Sequence, residues 1–287
     1  RRRRRGHGLR RRAGAIRRLA MKLSFMTFAC PQWSLAEIVR AAKAHGYAGF
    51  EPRVHDDHAH GIELSMPASD RKRAAHMAHE AGLEISCVAT SCTFAASDEA
   101  QRERNVESLR RHLELARDVG SSRVRVFGGR RSEGLELERA IEIVAEDLRR
   151  AGDFAAECNV TICLETHDDF SLGASVGRVL DLANHGYIRA NWDVMHPYRR
   201  GEELAETLQR LGDRVAHVHF HDSSDEGRAV VPGDGWLPIA EYIRALHRLK
   251  FNGYASAEIW PDAGNPETIL TRYAEQMRRY QRLALVA

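Results

Sequence analysis

The chain of 287 residues has a net charge of +3, with 43% hydrophobic and 29% charged residues, an ordinary globular balance that supports a sizeable core and excludes a low-complexity chain. Ten arginines and no acidic residue fall in residues 1–20, and setting those ten aside turns +3 into −7, so the mildly acidic body gives no electrostatic ground for binding nucleic acid. No apolar run approaches the ~20 residues of a membrane helix, and the five cysteines, Cys30, Cys87, Cys92, Cys158 and Cys163, form no CxxC pair, which reads as buried thiols in a reducing, cytoplasmic setting.

Residues 1–20 (RRRRRGHGLRRRAGAIRRLA) lack the apolar centre of a secretory signal. Arg17-Arg18 could mimic a twin-arginine signal, and an Arg-rich, acid-free stretch suits a mitochondrial transit peptide, though this one holds no Ser. The preferred reading is an upstream extension before a natural start at Met21. Self-repulsion and scarce apolar residues predict disorder over 1–20.

From Met21 a pattern repeats: a short β-branched-rich run, a longer segment of helical period, then usually a Gly. Lys22–Phe28 reads as the first strand. Ser34 caps a helix to about His45, with Glu37 placed for a capping box. Ala48–Arg53 is the second strand, with a helix over about Ser69–Glu80. Leu83–Thr90 is the third, with a helix over Asp98–Val119. Arg123–Phe127 is the fourth, followed by a long helix over Leu135–Cys158. Val160–Glu165, Ile188–Asp193, Arg214–Phe220 and Tyr254–Ile259 are strands five to eight. Their helices are expected near Ala174–Asn184, Glu202–Leu211, Pro238–Leu249 and Pro266–Leu283. Eight uninterrupted strand–helix units predict a single (β/α)8 TIM barrel over 21–287. The missing GxGxxG after the first strand weakens a dinucleotide-binding alternative.

Strands five to eight end in TICLE, RANWD, VAHVH and ASAEI. They carry Glu165, Asp193, His219 and Glu258, at the carboxyl ends where barrels of this kind place their active sites. Strand alternation puts Glu165 on one face with Cys163, and His219 with His217. Three carboxylates and an imidazole suit one divalent cation of intermediate hardness, Mn²⁺, Mg²⁺, Co²⁺ or Zn²⁺.

Weaker signals surround this set. Glu51, at the end of strand two, reads as an acid behind the ligands or as a salt-bridge partner. Trp33 and Trp260 lie where sugar faces could stack, or where the rim packs. Gly128, Gly129, Arg130 and Arg131 form a loop that could hold a phosphate or carboxylate, or face solvent. The run His55-Asp56-Asp57-His58-Ala59-His60 reads as a polar loop or as further metal ligands.

The motifs LETH, WDVMH, HVHFHD and SAEIW resemble those of the xylose isomerase-like barrel superfamily, in its sugar phosphate isomerase/epimerase branch. The likeness runs over nearly the whole chain after Met21. It is strongest in LETHDD, in HVHFHD with PGDGWLPI, and in FNGYASAEI. The resemblance implies that Glu165, Asp193, His219 and Glu258 bind one divalent metal ion. It implies a small carbohydrate-like substrate contacted by His167 and His196; Arg228, Trp33, Trp260 and Glu51 are further candidates for contacting it. It implies isomerisation or epimerisation through an enediolate, with Glu165 and Glu258 as the acid/base pair. Members often dimerise or tetramerise, so a homo-oligomer is in keeping. Two positions depart from the pattern: Asp225 stands where ketose epimerases usually carry Arg, with Arg228 nearest, and His221 stands where many relatives carry Lys. The competing readings are a lyase (dehydratase) on the same enediolate, an apurinic-site endonuclease needing three zincs, and a non-catalytic binding barrel.

Overall fold

The structure, a computed structural model, describes residues 21–260 and 264–286. The predicted disordered leader at 1–20 lies outside the described residues. Seven strand segments form one parallel sheet: β1 (Lys22–Phe25), β11 (Tyr254–Ala257), β8 (Val215–His219), β7 (Ile188–Asp193), β6 (Thr161–Glu165), β5 (Arg123–Phe127) and β4 (Val88–Ala89). A parallel pair, β2 (Gly49–Phe50) and β3 (Glu84–Ile85), fills the remaining arc. Bridges Met26–Glu51 and Arg53–Ala89 join that pair to β1 and β4. β3 and β4 are the two halves of one interrupted third strand, so eight strand positions close a barrel.

Helices α1 (Leu35–Ala44), α2 (Ala68–Glu80), α3 (Glu99–Asp118), α4 (Leu137–Cys158), α5 (Gly173–Ala183), α7 (Leu204–Leu211), α8 (Ile239–Arg248) and α9 (Pro266–Val286) wrap the sheet. Their start and stop signals are local. Ser34 and Glu37 form the expected capping box on α1, while Asn159 and Asn184 end α4 and α5 in left-handed backbone. Apolar faces such as Ile141, Val144, Leu148 and Ala155 of α4 are fully or nearly buried against the strands. No described helix is long and apolar enough to cross a membrane.

The inside of the barrel differs from its outside. Glu51 of the second strand reaches His217 and His219 on β8, although β1 and β11 lie between those strands in the sheet. Such a contact has to cross the barrel interior. Ser24, Arg125, Glu165, Asn191 and Ser256 are also fully buried. The interior of the carboxyl half is therefore polar, where many barrels stack branched apolar side chains.

Four departures from the sequence reading bear on the site. The first strand stops at Phe25 and the chain turns into a 3-10 helix at Thr27–Ala29. The second strand keeps only two ladder residues, with Glu51 and Arg53 held by isolated bridges on either side of Pro52, which has no N–H to donate. The eighth strand ends at Ala257, so Glu258 lies one residue past the last ladder partner. Two elements were not expected: the short helix α6 (Met195–Arg199), and a hairpin of β9 (Asp222–Ser223) with β10 (Ala229–Val230). Both are too short to show a period.

That hairpin is held by one carboxylate. Asp222 Oδ1 accepts from Ser223 N at 2.8 Å and Leu237 N at 2.9 Å, while Oδ2 accepts from Gly233 N at 2.9 Å and Gly235 N at 3.1 Å. A Cβ at Gly235 would lie 2.2 Å from Ser223 O, so only glycine fits this approach. Asp222→Ala strands four backbone donors at a buried knot and should cost about 3 kcal/mol of stability, read as a lower urea midpoint at unchanged m-value.

Candidate metal centre

β6, β7 and β8 run side by side in a register that aligns their carboxyl ends. Glu165 lies beside Asn191, and Asp193 beside His219 after a register shift at Ala190/Asn191. Glu258 enters from just past β11, whose Ser256 lies beside His219. One donor atom each from Glu165, Asp193, His219 and Glu258 falls within 4.8 Å of the others. The four residues picked out at the strand ends thus come together.

His219 is the hub. Its Nδ1 lies 2.6 Å from Glu165 Oε1 and 2.9 Å from Glu258 Oε2, and its Nε2 lies 3.1 Å from Glu51 Oε1. Burial alone would push this imidazole down, but Glu165, Glu258 and Glu51 outweigh it and hold His219 well above its ordinary pKa. Burial likewise works to raise Glu258 and Asp193, yet His219 for the first and His221 with His196 for the second keep both carboxyls below their usual range.

Bound hydrogen donors test whether a cation fits. Nε2–H donates to Glu51, which fixes the ring and leaves Nδ1 facing the carboxylates; this is the carboxylate–histidine arrangement that supports metal ligands. Glu165 Oε2 is buried without a hydrogen-bond partner. Arg125 Nε sits 3.2 Å away as an ion pair but is not aligned to donate. An orphaned carboxylate oxygen beside an imidazole nitrogen whose proton a cation would displace, with two further carboxylates, is a donor set for a divalent ion. Asp193 is steadied by Met195 N at 2.8 Å and by His221 Nε2 at 3.0 Å.

Of the four, Glu258 lines a cavity of ≈ 520 Å³. His167, His196, Arg228, Trp260 and Glu258 line it, as do His221, Arg199 and Met195. The His167 and His196 rings meet edge to face at 4.4 Å, and Trp260 stacks on Phe28 at 4.4 Å. Two expected substrate contacts lie elsewhere. Glu51 is fully buried beneath the centre, with one oxygen 2.9 Å from His217 and the other on His219. Trp33 packs against the hydrophobic core at the start of α1, outside the cavity lining.

The weaker motifs also have places. His58 Nδ1 pairs with Thr27 Oγ1 at 3.1 Å, and His60 bonds Arg53 O and Ile62 N; these rings brace their own loop. Among the described residues the groups able to hold a metal are the Glu165 set and Glu51–His217–His219, which share His219. Arg131 bonds Asp169 Oδ2 through both N and Nε at 3.0 Å, and Arg130 lies 3.7 Å from Asp168, so the FGGRR loop is pinned by acids of the 3-10 turn after β6. The sequence reading passed over Arg125. A cation on the inward alternation of a buried parallel strand, two residues before Phe127, was the available signal.

Residues 39–281 match the model of the family described as Xylose isomerase-like TIM barrel. The chain is similar to a fructoselysine 3-epimerase of Shigella flexneri, 20% identical over 274 residues, covering 92% of this chain and 96% of the relative. It is similar to a 3-dehydroshikimate dehydratase of Bacillus anthracis, 22% identical over 194 residues, covering 67% of each. It shares its fold with the crystal structure of the IOLI protein with a binding zinc atom, with a TM-score of 0.77 at 17% identity, covering 92% of this chain and 98% of that one.

Two outcomes are expected. Glu51→Gln loosens the hold on His219 Nε2 and should lower Mn²⁺ or Zn²⁺ affinity roughly 10–100-fold by calorimetry. Because Glu165, Glu258 and Glu51 hold His219 well above its ordinary pKa, cation uptake should release a proton from it, and affinity should fall as pH drops. Titrations in buffers of different ionisation enthalpy read that proton directly.

Proposed function

We propose, from the premise that this chain belongs to the xylose isomerase-like TIM barrel family, that it is a divalent-metal-dependent isomerase or epimerase of a sugar or related hydroxy-carbonyl compound. The observation that carries the reading is the convergence of Glu165, Asp193, His219 and Glu258 within 4.8 Å, with Glu258 lining a ligand-sized cavity. The relatives named as a 3-epimerase and a dehydratase support chemistry on small hydroxylated carbonyl compounds.

Glu165, Asp193, His219 and Glu258 would hold the ion. When bound, a divalent cation supplies Lewis-acid polarisation of a carbonyl and its neighbouring hydroxyl, which acidifies the C–H between them. The protein supplies the proton traffic. Glu258, whose side chain is 12% exposed and lines the cavity, takes the proton from that carbon. Glu165, fully buried beside Arg125, is the partner that returns one. Return to the same carbon from the other side inverts it, and delivery to the adjacent carbon isomerises the substrate. His167 and His196 line the same cavity as hydrogen-bond groups for hydroxyls. Burial works against a charge on His167, yet Asp168 at 3.2 Å and nearby Glu165 raise its pKa to about 9, so it faces the cavity as a donor at neutral pH.

A lyase is the second reading, favoured by the dehydratase relative. Loss of a β-hydroxyl from the same intermediate uses the same first proton transfer, so product analysis separates the two: an inverted or shifted carbonyl compound for the first, an enone with release of water for the second.

With Mn²⁺-loaded protein in heavy water, substrate α-proton exchange should be followed by NMR. Glu258→Gln and Glu165→Gln should each slow it about 10²–10⁴-fold at matched metal occupancy. Exchange at the wild-type rate in either variant would remove that residue from proton transfer.

A further inference from the structure

The cavity above the metal centre is lopsided in charge. Glu258 is the one carboxylate among its lining residues, and it belongs to the metal centre. Arg199 and Arg228 line the same cavity, and guanidinium groups stay charged at any physiological pH.

Both arginines are set in place by local structure. Arg199 is the last residue of α6, and its Nη1 donates to Gly227 O at 3.1 Å. Gly227 has φ +75, and a Cβ there would lie 2.4 Å from Arg199 Nη2, so glycine lets the guanidinium lie flat on the turn. Tyr198, the neighbour of Arg199, packs on Trp236 at 5.1 Å, and Trp236 Nε1 donates to Ser224 O at 3.1 Å. The turn between Ser224 and Arg228 closes on itself: Ser224 N donates to Arg228 O at 3.0 Å, and Arg228 N to Ser224 Oγ at 3.2 Å. The turn bearing Arg228 is thus fastened to the helix bearing Arg199 at two points.

The partners of these two cations leave them open. No described carboxylate pairs with Arg199, whose one hydrogen bond to a described residue goes to the Gly227 carbonyl. Arg228 pairs with Glu226 at 2.5 Å, but both side chains are about two-thirds exposed, and an exposed pair of this kind contributes little.

We propose that the substrate carries an oxyanion, a phosphate or a carboxylate, in addition to its hydroxy-carbonyl unit, and that Arg199 and Arg228 bind that group. An uncharged sugar would leave two guanidinium groups facing water. An oxyanion matches the planar fork with paired, charge-assisted bonds. This assignment rests on the enolising reading only for where the rest of the substrate lies; the anion site stands on the arginines themselves.

The test uses the full chain loaded with Mn²⁺ and has two arms. In the first, inorganic phosphate is titrated by calorimetry into wild type and the Arg199→Gln/Arg228→Gln double variant, with Mn²⁺ affinity measured on each to show that the centre is intact. The expected result is a loss of about tenfold or more in phosphate affinity with Mn²⁺ affinity unchanged. Phosphate binding that survives the double substitution places the anion on the metal or elsewhere and overturns the proposal. In the second arm, α-proton exchange is compared for D-fructose, D-fructose 6-phosphate and D-fructuronate. At least one anionic ketose should exceed fructose about tenfold in kcat/KM, and the advantage should vanish in the double variant. The better anion tells phosphate from carboxylate. Equal rates for all three in wild type overturn the proposal. If none of the three exchanges, the enolising reading is what fails, and the phosphate arm still decides the anion site.

Discussion

The structure depends on the cost of burying charge inside a barrel. Glu51, Glu165, Asp193, Arg125 and His219 are all 0–1% exposed, and an isolated ion at such depth would cost several kcal/mol. Each is therefore tied to another: Glu51 to His217 and His219, Glu165 to Arg125 and His219, Asp193 to His221. Removing one member leaves its partners charged in a dry interior. The register of β6, β7 and β8 is constrained accordingly, since a one-residue slip would turn Glu165, Asp193 and His219 to the opposite face. Chemistry and strand pairing are the same constraint here.

Much of this was legible in the sequence. The fourth and sixth strands appear at the residues expected, Arg123–Phe127 and Ile188–Asp193, because each is a run rich in apolar residues bounded by turn residues. The convergence of four strand ends follows from alternation plus barrel closure. What stayed hidden was set by tertiary contact. β2 and the interrupted third strand are too short to show alternation, and they hold the barrel through bridges that only closure creates. Glu51 read as an acid behind the ligands, a salt-bridge partner or a substrate neighbour, and only the packing of two histidines from β8 places it underneath the centre. Trp33 shared a strand-end position with Trp260, but the 3-10 helix at Thr27–Ala29 carries the chain away from the mouth before Trp33 is reached.

The two halves of the barrel divide the labour unequally. The long, well-paired strands β5 to β8 supply Arg125, Glu165, Asp193 and His219, where small errors of position matter most. The short strands of the first half supply Glu51 from behind. The lining nearer solvent comes from elements outside the barrel proper: α6, the β9–β10 hairpin and the segment after β11. Rigid strands thus fix the candidate metal centre, and connecting segments shape the cavity beside it.

The Asp222 knot has a consequence for how such a site can change. Its Oδ1 joins Ser223 N and Leu237 N, so residues 223–237 leave and rejoin the scaffold at nearly one point. A segment with coincident ends behaves as a cassette: its length and composition can drift at small entropic cost, while β8 keeps His219 in register. Arg228 rides on that cassette, and His219, a candidate ligand, does not. Selection can therefore retune which molecules are admitted by rewriting one excursion of the chain, leaving the reaction machinery inherited intact.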